Sequence, residues 1–172
     1  GDYDWMPQDN ATLNRAYGPH DLAPTLDALG IDGTVLVQAA ATVQETEYML
    51  GLADATPFIK GVVGWVDFED PSHLGHLKRL AAHPKFLGVR PMIQDIPDVN
   101  WMLHDDVQWA YGALVDLDLT FDALGFPRHS MIWFRLRTTR SAGNEKSTSM
   151  HNPSRLKSSR TFSVRIDRPS ES

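Results

Sequence analysis

Four short apolar segments recur along the first three quarters of the chain at nearly constant spacing. They are Gly33-Thr-Val-Leu-Val-Gln38, Gly61-Val-Val-Gly-Trp-Val-Asp67, Phe86-Leu-Gly-Val-Arg-Pro-Met92 and Leu119-Thr-Phe-Asp-Ala-Leu124, and their starts lie 28, 25 and 33 residues apart. Each is rich in β-branched or aromatic residues and apolar on both faces. That is the pattern of a parallel strand covered by helices, not of a strand with one wet face. The spacing is the length of one strand–helix unit. Helical signals fill the gaps. Asp21 is predicted to cap a helix with the face Leu22, Leu26 and Leu29, closed by Gly30. Thr42-Val-Gln-Glu45 spells a capping box ahead of Met49, Leu50 and Ala53, with Pro57 beyond the end. Asp70-Pro71 reads as an N-cap followed by proline at the first helical position, before Leu74, Leu77 and Ala81. Val107, Ala110, Tyr111 and Leu114 make one more helical face. The alternation predicts a parallel α/β architecture. Residues 1–18 read as a long loop of the kind that follows a first barrel strand.

Length limits how much of such a fold fits. The 172 residues suffice for one domain with a real core. They are too few for a complete eight-stranded α/β barrel of about 250 residues. The chain opens on Gly1, not Met, which predicts a truncated beginning. No signal peptide opens it and no apolar run nears the length of a membrane helix, so the expected setting is cytoplasmic, with no membrane partner. With no cysteine, disulfides, thiolate metal sites and thiol nucleophiles are excluded. Ser72 is the only serine before residue 130, which leaves almost no room for a serine nucleophile. Phosphate-binding glycine loops, His-Glu-x-x-His and Gly-x-Ser-x-Gly are missing.

The net charge of −6 conceals a division. Residues 1–129 hold 7 Lys/Arg and 19 Asp/Glu, a balance of −12, whereas residues 130–172 hold 9 and 3, a balance of +6. Ten serines fall in that last stretch. Beyond Met131, Ile132, Trp133 and Phe134 the tail has too little apolar surface to offset its ordering entropy, which predicts disorder after about Arg140. The predicted organisation is an α/β domain over 1–129 and a basic Ser/Arg-rich tail over 130–172. The tail reads either as a nucleic-acid-binding arm or as out-of-frame sequence.

In parallel α/β folds, chemistry sits at the carboxyl ends of the strands. Those ends carry Gln38, Trp65 with Asp67, Arg90 with Gln94 and Asp95, and Asp122 with Arg128 and His129. Arg90 stands out, because an arginine on an apolar strand needs a partner or a ligand. It reads either as an anion clamp on a substrate or as half of an internal salt bridge to Asp67 or Asp122. His73 and His76, three apart on a helix, read as a metal pair or as solvent-facing residues; the outward position of that helix favours the second. His83 is placed to complement a helix C-terminus, and His20 and His104 read as loop or cap residues. His129 is the histidine best placed for a site.

Several blocks carry a family resemblance. Gly1-Asp-Tyr-Asp-Trp5, Ile31-Asp-Gly-Thr-Val-Leu-Val-Gln38, Glu45-Thr-Glu47, Gly61 to Asp67, Gly88-Val-Arg-Pro-Met-Ile-Gln94 and Phe121-Asp-Ala123 resemble the amidohydrolase-related hydrolases of the sugar-lactonase type. The resemblance covers about residues 1–129. It implies a partial (β/α)8 TIM barrel, about strands 2–5 with their helices, from a hydrolase that opens a cyclic ester of a sugar acid or related carboxylate with water. In that family a His-x-His pair ends the first strand, a histidine follows a later strand and an aspartate ends the last. None of these positions matches here. The resemblance therefore implies a fragment, inactive as it stands, with the catalytic residues outside this chain. Arg90 matches the family's strand-four arginine, and Gln38, Trp65, Asp67 and Asp122 match strand-end positions, so these five are the expected substrate-binding residues. No metal ligand or cofactor is implied within this chain, although a divalent metal such as zinc is expected in a full-length relative. The expected partners are a small lactone or carboxylate and, through exposed barrel edges, a second copy; nucleic acid is not among them. The alternative is a non-catalytic α/β binding protein with a basic nucleic-acid arm.

Overall fold

The computed structural model of the protein describes residues 7, 9–129 and 160–165, the last stretch by its backbone. The Gly1–Trp5 block, the apolar positions Met131 to Phe134 and, apart from 160–165, the stretch beyond Arg140 lie outside the described residues. Four parallel strands run in sequential order: β1 (Thr34–Val37), β2 (Ile59–Gly64), β3 (Phe86–Val89) and β4 (Thr120–Gly125). Each coincides with one of the four apolar segments. Sequential neighbours are what the wall of an α/β barrel requires, whereas a doubly wound sheet reverses its order at a switch point. The fold is therefore the expected partial barrel.

Helices α1 (Pro19–Leu29), α2 (Val43–Ala55), α3 (Leu74–Ala81) and α4 (Gln108–Asp116) fill the connections. Their caps follow the sequence, with two changes. In α1 the cap position is Gly18, and Asp21 lies inside the first turn, where its carboxylate accepts the Gly18 N–H at 2.7 Å. That bond, and then Arg15, hold the Asp21 carboxyl below the usual carboxylate range. Gly30 closes the helix at φ 64°, the left-handed region that glycine adopts without steric cost. Of the expected face only Leu26 is buried; Leu22 and Leu29 are exposed. In α2, Thr42 accepts the Glu45 N–H at 3.1 Å, but the Glu45 carboxylate turns back to the Ala39 and Ala40 N–H groups. The box is thus spent on the β1–α2 loop and fixes the chain directly after Gln38. Asp70 caps as expected by accepting the Ser72 N–H, and a short 3-10 turn over Pro71–His73 precedes α3.

Two glycines mark close approaches. A Cβ on Gly88 would collide with the Thr120 carbonyl of β4, and one on Gly64 with the buried side chain of Thr46. The core lies between sheet and helices, with Phe68 at its centre. Its ring packs against Trp101, Tyr111 and Phe121 at centroid distances of 6.0, 5.5 and 6.0 Å. Aromatic pairs in this range add to the stabilisation from area burial.

The tail departs from expectation at one place. Residues Arg160–Arg165 form a strand, β5, that pairs antiparallel with β4, placing Phe121 opposite Val164 and Leu124 opposite Thr161. These six residues lie along the outer edge of β4. Composition hid this, because the alternation Thr161-Phe-Ser-Val164 is a strand pattern set in a polar, basic stretch. The outer edge of β1 carries no strand among the described residues.

Candidate functional site

The carboxyl ends of β1, β3 and β4 meet in one bonded group. Arg90 directly follows β3, and its N–H donates to the Gly64 carbonyl at 2.9 Å, extending the ladder by one residue. Its guanidinium turns toward β4. There Nε and a terminal N–H both donate to Asp122 Oδ2, at 3.0 and 2.5 Å. The side chains are 13% and 3% exposed, so this is a nearly buried ion pair. From β1, Gln38 donates through Nε2 to the Arg90 carbonyl at 2.6 Å, while its own N–H donates to Val63. Of the two partners the sequence offers Arg90, the structure selects Asp122. The internal salt bridge is real, and it lies at the strand ends where a ligand binds in such folds.

The remaining two expected residues belong to a separate group. The Trp65 backbone N–H donates to Thr46 Oγ1 at 2.9 Å, and the indole packs edge-on against His73 at 5.8 Å. The Asp67 carboxylate accepts the Glu69 N–H at 2.9 Å, and the Asp67 N–H donates to His73 Nδ1 at 3.1 Å. Among the described residues no hydrogen bond or ion pair links Asp67 to Arg90. His73 is therefore a turn-fixing residue, half-buried, and not the solvent-facing one expected from helix position. His76 is exposed, 5.0 Å from His73 between ring centroids, and its Nδ1 faces Arg79. Trp65, His73, His76, Thr42 and Glu47 line an open cleft of about 360 Å³ at the start of α2.

The other histidines have local roles. His83, at the end of α3, faces Asp54 at 3.2 Å, and His104 pairs with Asp98 at 2.8 Å. His20 is exposed in the first turn of α1. Thr46 is a structural support beside the site that sequence reading missed. It is fully buried in α2 and positions Trp65, and nothing in its sequence context distinguishes it from any helical threonine.

On β4's far side, the short turn Pro127–His129 brings a fully buried imidazole to the same edge of the sheet. His129 Nδ1 accepts the Phe126 N–H at 2.9 Å. Burial first, and then the charge of Arg128, push the imidazole pKa below its ordinary value. The ring is thus neutral, with its proton on Nε2. Arg128 donates to the Gln94 carbonyl at 2.8 Å, which ties this turn to the loop after β3.

A metal does not fit the described residues. Among them no three His, Asp or Glu side chains come together as a cation site. No catalytic step through a metal is assigned to them. Among the described residues no helix is long and apolar enough to cross a membrane.

Comparisons with known proteins identify the family. The chain is 42% identical over 125 residues to an L-fucono-1,5-lactonase of Burkholderia ambifaria, covering 73% of this chain and 43% of that protein. It is 33% identical over 129 residues to an L-fucono-1,5-lactonase of Burkholderia multivorans, again covering 43% of it. A crystal structure of an amidohydrolase from Burkholderia multivorans with bound zinc superposes with a TM-score of 0.73 at 30% identity. That match covers 82% of this chain and 50% of the other. The chain thus spans less than half the length of the curated relatives it matches. These relatives do not favour the alternative of a non-catalytic binding protein with a nucleic-acid arm. The profile of the amidohydrolase family matches residues 1–153, past residue 129 where the resemblance read from the sequence stops, and the chain belongs to that family.

Proposed function

We infer that these residues form the substrate-holding side of a hydrolase that opens a sugar 1,5-lactone with water. The observation that carries this reading is the Gln38–Arg90–Asp122 group, built at the strand ends of a chain whose relatives are named as fuconolactonases. The charges of Arg90 and Asp122 cancel, so the pair presents oriented donors and acceptors without net charge. Such a site suits a neutral cyclic ester better than a ligand with several carboxylates, which would have to displace Asp122. Arg90 is placed to donate to the ester carbonyl, where negative charge develops as water adds. Trp65 and Asp67 follow β2, the strand between β1 and β3, and in this reading they line the site beside the Gln38–Arg90 bond. The water-activating group is not assigned to any described residue, and a divalent ion such as zinc belongs to a full-length relative. The 172-residue polypeptide is therefore expected to bind a lactone without turning it over. A cytoplasmic setting is part of the proposal. So is self-association through the β1 edge, where Ile31 and Val35 are 45% and 43% exposed.

Saturation-transfer NMR with L-fucono-1,5-lactone tests the reading. Binding by the unaltered chain that Arg90→Ala removes is the expected result. Binding unaffected by Arg90→Ala would overturn it. So would lactone turnover by the unaltered chain that Arg90→Ala abolishes, since that would place the chemistry within these residues.

A further inference from the structure

Four buried side-chain polar atoms have no hydrogen-bond partner among the described residues: Gln38 Oε1, Gln94 Oε1, His129 Nε2 and Tyr111 Oη. Buried polar atoms are nearly always satisfied, and one left without a partner costs about 1–3 kcal/mol. Tyr111 lies on α4 in the aromatic core, packed on Phe68 and Phe121. The other three lie at the carboxyl edge of the sheet, after β1, β3 and β4. Each is tied to its neighbours there. Gln38 donates to the Arg90 carbonyl, Asp122 on β4 takes the Arg90 guanidinium, and Arg128 joins the His129 turn to the Gln94 backbone.

The polarity of each unmatched atom is fixed by what its other end does. The Gln38 amide nitrogen must face the Arg90 carbonyl, because a carbonyl accepts only, so Oε1 is the atom left over. The Gln94 nitrogen faces the Asp95 carboxylate at 2.9 Å, so its oxygen is again left over. His129 Nδ1 accepts the Phe126 N–H, so Nε2 carries a hydrogen. The edge therefore holds two unmatched acceptors and one unmatched donor.

We propose that Gln38 and Gln94 read two hydroxyl groups of the ligand while the His129 Nε2–H donates to one of its oxygens, so that the site selects a polyhydroxylated lactone over an unsubstituted one. This rests on the lactone reading above and adds which residues discriminate among lactones. A ligand without hydroxyls leaves both amide oxygens unmatched, and discrimination of this kind is strong where buried acceptors are stranded.

The test compares L-fucono-1,5-lactone with δ-valerolactone, the same ring without hydroxyls, on the 172-residue chain by NMR titration. The sugar lactone is expected to bind more tightly, by about three- to tenfold for each hydrogen bond gained. Gln94→Met should remove one such factor for the sugar lactone and leave δ-valerolactone unchanged. This variant spares the Gln38–Arg90 bond, so it does not depend on Gln38→Met folding. The nitrogen-15 resonance of His129 Nε2 should move when the sugar lactone is added. Equal affinity for both lactones, with Gln94→Met and the His129 signal indifferent, would overturn the proposal and leave the lactone reading standing. Binding of neither lactone would overturn both.

Discussion

The five strand-end residues of the sequence divide into two groups built by different physics. Gln38, Arg90 and Asp122 are nearly buried, cross three strands, and are joined by side-chain bonds over long sequence separations. Trp65 and Asp67 are half-buried, belong to one β–α connection, and are held by neighbours within a few residues, except for the bond to Thr46. A charge on a parallel strand can be satisfied only by the next strand or a ligand, which forces the first group together. Residues on a turn find local partners, and that leaves the second group without a bond to Arg90 among the described residues.

The comparison predicts unequal sensitivity. Asp122→Ala should be the most damaging change, because it leaves the Arg90 guanidinium buried without its counter-charge. Breaking such a pair costs about 3–5 kcal/mol, and urea unfolding should show it as a lower midpoint. A loss no larger than for a surface substitution would place the pair in solvent. Thr46→Val should cost less, about 1–3 kcal/mol, since it keeps the volume but deprives the part-buried Trp65 N–H of its acceptor. A change in tryptophan fluorescence should accompany it.

The smallest effect should come from His129. Its folded pKa lies below the unfolded value of about 6.5, so at mildly acidic pH the unfolded chain binds the additional proton. Stability contributed by this residue is present above the unfolded pKa and is lost as pH falls through it toward the folded value. Unfolding midpoints measured from pH 7.5 downward should decline in that window, and less so in His129→Phe. A rise in stability on acidification that His129→Phe removes would contradict the neutral, Nε2-protonated ring.

Much of this was legible in the sequence, and for definite reasons. The four strands were readable because burial on both faces leaves continuous apolar runs, and Thr42 and Asp70 because caps are local chemistry. Arg90 was readable as an anomaly, but not its partner, since strand register and side-chain direction decide between Asp67 and Asp122. The roles of Thr46, His73 and His129 were hidden because each depends on which backbone N–H comes to face its side chain. β5 was hidden by composition, six alternating residues carrying little weight in a basic stretch.

The most direct test follows arginine, glutamine and tryptophan side-chain N–H signals while L-fucono-1,5-lactone is titrated into the 172-residue chain. Arg90 Nε–H and the Gln38 side-chain amide should shift together and saturate at one ligand concentration, with the Trp65 indole responding weakly. A saturating shift of Trp65 with Arg90 and Gln38 unmoved would place the ligand in the cleft beside His73 and contradict that expectation.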